Sequence, residues 1–216
     1  IEFQNKSASF TASNSRIQVN NVILNPSNGI TFCFWAKDLN NGIKYPLNII
    51  KDEDNTIFLE VALVIRYKRL QIKMSNSFRD EIKFNIDDTY YSENFGNNSK
   101  KNDWYFFAFK LNDNNNCKAF IGNQTSPDLI VINGNKTLAN WRGDITMDFF
   151  KESGKNYKIA FGGKNIFRSF SGGKLHNFML WDTLLNQNTL KAIKDYEDLA
   201  GTNSLVHLKL DGEANS

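Results

Sequence analysis

The chain is poor in the residues that most often carry chemistry. It has 2 His, 2 Cys, 3 Met and 3 Pro among 216 residues. Two cysteines, Cys33 and Cys117, cannot make a zinc site alone. They leave two states open: one disulfide, which implies an oxidising compartment, or two buried free thiols. Charge of one sign is also lacking. Lys plus Arg number 26 and Asp plus Glu 23, a net charge of +3. That balance argues against nucleic acid as a partner, because nucleic-acid binding needs a concentrated basic face. The only Lys-Lys pair, Lys100-Lys101, lies in a polar stretch and reads as solvated loop. No apolar run approaches the length of a membrane span. The first residue is Ile and no signal-peptide pattern follows it, so the chain reads as a processed product or an excised piece. Internal repeats and low-complexity linkers are absent, and one domain over residues 1–216 is the expectation.

What is abundant is apolar and amide. Hydrophobic residues make up 41% and include 18 Phe, ample for a dry core. There are 31 Asn, mostly in stretches that read as turns, where their tolerance of left-handed backbone is useful. Four Asn-x-Ser/Thr sequons occur, at Asn5, Asn97, Asn123 and Asn135. With this much Asn, Ser and Thr, about four arise by chance, so they mark glycan acceptors only if the chain is secreted.

The periodicity is that of strands. In ITFCFWAK, Ile30, Phe32, Phe34 and Ala36 fall on one face and Thr31, Cys33 and Trp35 on the other. Both faces are at least partly apolar, the signature of a central strand covered on both sides. LNIIKDEDNTIFLEVALVIRYKRLQIKM predicts three strands with turns at residues 52–55 and near Lys68-Arg69. IKFNI adds a short strand. Residues 87–103 are polar and Asn-rich, and a long surface loop is expected there. WYFFAFKLNDNNNCKAFIG is the strongest hairpin signal. Residues 123–157 have no clear period and read as an extended insertion over a sheet edge. KIAFGG and GKLHNFMLWD close the sheet. Asn186 then offers an N-cap to a helix over about 187–199, with Leu190, Ile193 and Tyr196 as a narrow apolar stripe and Gly201 as its stop. LVHLKL at 205–210 is the last strand. Many strands followed by one late helix predict a β-sandwich rather than a βαβ fold.

These blocks, in this order, resemble the laminin-G-like, concanavalin-A-like jelly rolls. The last one, GGKLHNFMLWDTLLNQNTLKAI, is similar to the pentraxin-type domains, where Trp-Asp follows a strand and a short helix follows that. The resemblance spans nearly the whole chain. It implies an all-β fold: a two-sheet antiparallel jelly-roll sandwich with one short C-terminal helix, Trp181 being a packing residue. Trp35 and Trp104 read as core or sheet-covering. The fold is a poor guide to function, because it hosts lectins, adhesion modules, hydrolases and structural spacers.

Hydrolases on this sandwich flank the scissile bond with carboxylates ~5–9 Å apart. In the relatives that are hydrolases the pair comes from a Glu-x-Asp-x-Glu-like run, and none exists here. His176 and His207 read as strand-face residues without an accompanying nucleophile motif. The expectation is that the chain is not an enzyme. Pentraxins hold calcium with an Asp-Asn pair and with acidic and amide side chains in the loop before the closing strand. Asp54-Asn55 match the pair. The corresponding loop, GGKNIFRSFSGG, carries Lys164 and Arg168 instead of carboxylates, which repel a cation that wants six to eight oxygens. The expectation is therefore no cofactor, with calcium bound weakly or not at all. Lys164, Asn165 and Arg168 form an alternative site for an anionic group on a glycan. Cys33 stands where pentraxins have a cysteine, but the usual partner position falls near Phe107 rather than Cys117, so free thiols are favoured over a disulfide. Trp141, in NWRGD, is the candidate sugar-stacking ring.

The expected function is a non-catalytic recognition or adhesion module of an extracellular or cell-surface protein, binding a glycan or a protein. The alternative is a structural module that packs against neighbouring subunits or domains in a larger assembly. A glycoside hydrolase ranks third. Neither nucleic-acid binding nor membrane insertion is expected.

Overall fold

The computed structural model describes residues 7–12, 15–39, 42–55, 57–74, 81–97, 102–112, 117–137, 154–165, 168–195 and 203–210. In chain order the strands are β1 (Ala8–Phe10), β2 (Ile17–Leu24), β3 (Ile30–Lys37), β4 (Lys44–Lys51), β5 (Ile57–Val64), β6 (Arg69–Met74), β7 (Glu81–Asn85) and β8 (Tyr105–Leu111). They continue as β9 (Lys118–Asn123), β10 (Ile130–Asn133), β11 (Asn135–Thr137), β12 (Lys155–Phe161), β13 (Gly163–Asn165), β14 (Arg168–Ser169), β15 (Gly173–Trp181) and β16 (Val206–Leu208). Two helices are described, α1 (Asp88–Phe95) and α2 (Gln187–Asp195).

Two antiparallel sheets carry the fold. The first has the order β1-β15-β3-β8-β9-β10, with β16 beside β15, and the second β11-β7-β6-β5-β4-β12-β2. Alternation decides which side chains meet between them. Phe32, Phe34, Phe107 and Phe109 of the first sheet point inward, as do Leu59, Val61, Ile72 and Phe84 of the second. The Phe109 and Phe84 rings meet across the sandwich edge to face at 5.7 Å, and Phe161 and Phe178 do the same at 4.8 Å. Each fully buried Phe removes enough apolar area from water to contribute roughly 1.5–3 kcal/mol.

The first sheet is covered on its outer face as well. Cys33, Trp35, Trp104, Phe106, Phe120, Met179 and Trp181 form a second apolar cluster there, closed by Leu190 and Ile193 of α2. A sheet buried on both faces needs a lid, and the one late helix supplies it. Asn186 caps that helix by accepting from Thr189 N at 2.8 Å. At its other end Lys194, only 3% exposed, donates to the Ser126 carbonyl at 2.7 Å.

Two sequence expectations need amending. The polar stretch after β7 is not all loop, since residues 88–95 form α1. Asp87 caps it by accepting from Thr89 N and Tyr90 N, and Phe95 anchors it on Tyr105 at 4.4 Å between rings. Within the stretch expected as an insertion over a sheet edge, Ile130–Asn133 and Asn135–Thr137 are instead the edge strands β10 and β11, paired with β9 and β7. The β5–β6 turn falls near Lys68 as expected, without a Gly. Lys68 takes its left-handed position instead, with φ 54°.

Candidate functional site

The Asp52–Asn55 turn joins β4 to β5 at one end of the second sheet. Asn55 has φ 57°, a conformation an Asn adopts more readily than most residues. β12 runs antiparallel beside β4, with Tyr157 opposite Lys51 and Lys158 opposite Ile50. The alternation KNYKIAF buries Tyr157, Ile159 and Phe161 and turns Lys158 outward, under the turn. The Lys158 ammonium lies 2.6 Å from Asp52 Oδ1 and donates to Asn55 Oδ1 at 2.9 Å. Asp52 N donates to the Asn156 carbonyl at 3.1 Å, stitching the turn to β12. Lys155 and Glu53 make an outer, exposed pair at 3.5 Å, worth at most about 1 kcal/mol. Beside these contacts is an open depression of about 350 Å³ lined by Lys51, Asp52, Glu53, Gly154, Lys155 and Asn156. Most of its lining residues are charged or amide, which suits a hydroxyl-rich or charged ligand.

Of the predicted site residues, Asp54 and Asn55 sit at this turn, Asp54 exposed at its tip. Lys164, Asn165 and Arg168 do not join them. Their backbone forms the β13–β14 hairpin, which follows the far end of β12 and packs on the start of β4, where Gly162 N donates to the Pro46 carbonyl. β4 runs from Pro46 to Lys51 between the two places, roughly 17 Å at ~3.3 Å per residue. The two halves that the family resemblance pairs thus have their backbones at opposite ends of β4. Trp141, the neighbouring Arg142-Gly143-Asp144 and the sequon at Asn5 lie outside the described residues.

Cys33 and Cys117 form no disulfide with each other, and both are buried. Cys33 belongs to the outer cluster of the first sheet and Cys117 to the inner core, so the sheet itself stands between them. Burial pushes the Cys33 thiol far above the ordinary thiol range. Among the sequons, Asn97 and Asn135 are exposed. Asn123 is spent structurally: its Nδ2 donates to Asn94 Oδ1 at 2.9 Å and its Oδ1 accepts from Ser126 N and Thr125 N. His176 packs edge-on to Trp104 at 6.3 Å, and His207 Nε2 lies 2.8 Å from Asn177 Oδ1. Among the described residues no three His, Cys, Asp or Glu side chains converge as metal ligands. No described helix is long and apolar enough to cross a membrane.

No protein-family model and no curated protein matches the sequence. Solved structures do. A heptameric SAP-like pentraxin from Limulus polyphemus superposes with a TM-score of 0.58 at 10% identity, over 98% of this chain and 94% of that one. The full-length tailspike protein 2 of the Escherichia coli O157:H7 bacteriophage CAB120 gives 0.58 at 11%, over 100% of this chain and 31% of that one. The binding domain of botulinum neurotoxin DC, in complex with rat synaptotagmin II, gives 0.52 at 12%, over 84% and 40%. The chain has a two-sheet jelly-roll fold similar to that of these structures. At these identities the likeness shows the fold alone. The jelly roll spans nearly all of the pentraxin chain and under half of the other two.

Sequence reasoning missed Lys155 and Lys158. Alternation marks Lys158 as outward-facing, but only the pairing of β12 with β4 brings it under the turn.

Proposed function

We propose that this jelly roll is a non-catalytic recognition module of an extracellular or cell-surface protein, binding a glycan or protein partner without calcium. The observation that carries the reading is the polar depression beside the Asp52–Asn55 turn, where amide, ammonium and carboxylate groups converge in an open hollow. Such a site binds by hydrogen bonds to many hydroxyls or charged groups rather than by apolar enclosure. Lys158 supports calcium independence. Its ammonium already stands between Asp52 and Asn55, where it neutralises the carboxylate and uses the amide oxygen. The toxin domain of this fold, seen with synaptotagmin II, supports a protein partner as readily as a glycan.

A second reading is a structural module in a larger assembly. β2 is an eight-residue edge strand whose Ile23 is 55% exposed, a feature that natural edges usually avoid. Glycan-array binding of the chain in calcium and in EDTA, with Lys155→Ala and Asn156→Ala alongside, separates the two. Equal binding in both buffers, lost in the variants, supports recognition. Absence of binding together with concentration-dependent self-association, abolished by Ile23→Lys, supports assembly instead.

A further inference from the structure

The outer face of the first sheet holds two pairs of cations set against each other. Lys110 of β8 stands directly opposite Lys118 of β9. Both follow the outward alternation of Ala108 and Phe120, so both ammonium groups leave the same face. At the other end of that face Lys37 of β3 stands opposite Lys174 of β15. Like charges directly opposed on adjacent strands work against the sheet. Neither the Lys110 nor the Lys118 ammonium has a hydrogen bond or ion pair among the described residues. Partial burial, with the charge of Lys118 beside it, holds the Lys110 ammonium below the usual lysine range. With no carboxylate among the described residues to neutralise it, the pair leaves room for an anion.

The surrounding row narrows the chemistry. Thr31 flanks Lys110, but its hydroxyl is engaged: it donates to the Thr183 carbonyl at 2.6 Å and accepts from Leu185 N at 3.0 Å. Asn133 flanks Lys118 and is exposed. Two ammonium groups and one amide donor therefore face solvent together. Such a set suits a compact, doubly charged oxyanion, because each ammonium offers three donors to a point charge.

We propose that the Lys110–Lys118 pair is an oxyanion site that takes a sulfate or phosphate group, free or carried on a glycan. It lies on the sheet opposite to the one that forms the Asp52–Asn55 depression, so the two sites are separable by mutation.

The test is thermal unfolding in sodium sulfate against sodium chloride at matched ionic strength, for the wild type, Lys110→Gln and Lys118→Gln. Sulfate stabilises most proteins weakly, and the comparison between variants removes that background. The expected result is a sulfate-specific rise in Tm for the wild type that either variant weakens, with apparent affinity falling about tenfold. In chloride, Lys118→Gln is at least as stable as the wild type, because repulsion is relieved. An equal sulfate response in all three proteins overturns the site. A Lys118→Gln chain less stable in chloride also overturns it, since the lysines are then structural. NMR of the Lys110 ammonium in the wild type serves if a variant fails to fold: its pKa rises with sulfate, and no rise contradicts the proposal. A sulfated oligosaccharide and its desulfated form identify the source. If both bind alike and free sulfate has no effect, the site is refuted. Loss of array binding in Lys155→Ala does not bear on these readouts.

Discussion

Lys158 and Asn55 stand 103 residues apart in sequence and 2.9 Å apart in space, ammonium to amide oxygen. The same ammonium meets Asp52 at 2.6 Å. A lysine here does for the turn what a bound cation would do: it neutralises the carboxylate and fixes the amide. Calcium would have to displace a tethered charge that pays no translational entropy. The wild type is expected to show no calcium-dependent shift in Tm up to about 10⁻³ M, the weak end of extracellular calcium sites. Lys158→Gln is expected to lower stability modestly, by about 0.5–1 kcal/mol. Thermal unfolding in calcium and in EDTA measures both, and a calcium-induced rise in the wild type contradicts the account.

Asn48 is 1% exposed on β4, opposite Glu60 of β5 and Ala160 of β12. Among the described residues, neither its Nδ2 nor its Oδ1 has a hydrogen-bond partner. An unmet buried polar group costs about 1–3 kcal/mol. Asn48→Leu, similar in shape, is therefore expected to raise stability by about 1–2 kcal/mol in denaturant unfolding. A clear loss would mean that the amide is satisfied in solution.

Gly162 has φ 91°, and a side chain there would overlap the Ser15 carbonyl and the Phe10 ring. Gly162→Ala is expected to cost at least about 2–3 kcal/mol, as strained backbone and steric overlap add. Gly154 has φ 68° with open space around it. Gly154→Ala is expected to cost less, about 1 kcal/mol, from backbone strain alone. Urea midpoints of the two variants give the comparison, and equal losses contradict it.

Partial burial, and then the charge of Lys209, hold His207 below its ordinary value of 6.5. The unfolded chain therefore takes up the proton first as pH falls. The contribution of His207 is fully present above the unfolded value and is lost as pH drops through 6.5 toward the folded value. Unfolding midpoints are expected to fall between about pH 7.5 and pH 5, and less steeply in His207→Gln. An identical pH slope in both proteins rules His207 out as the cause.

The fold was legible where side chains alternate strongly. ITFCFWAK declares its two buried faces, and Asn186 with Leu190 and Ile193 declares the closing helix. α1 was hidden because DTYYSENF has almost no apolar stripe. Its one local signal is the cap, Asp87, and the rest is tertiary: the Phe95 ring against Tyr105, and Asn94 held by Asn123. The turn at Asp54-Asn55 was also legible. Its tether was not, since the pairing of β12 with β4 depends on how the whole sheet assembles. The distance between Asn55 and the Lys164–Arg168 hairpin was hidden for the same reason: both flank β4, at opposite ends.

The most direct test is a ¹⁵N chemical-shift titration of the wild-type chain with the strongest glycan-array ligand, in calcium and again in EDTA. The account predicts shifts concentrated at residues 51–55 and 154–158, the same in both buffers. Shifts confined to another face, or shifts that vanish in EDTA, would contradict calcium-independent recognition at the Asp52–Asn55 turn.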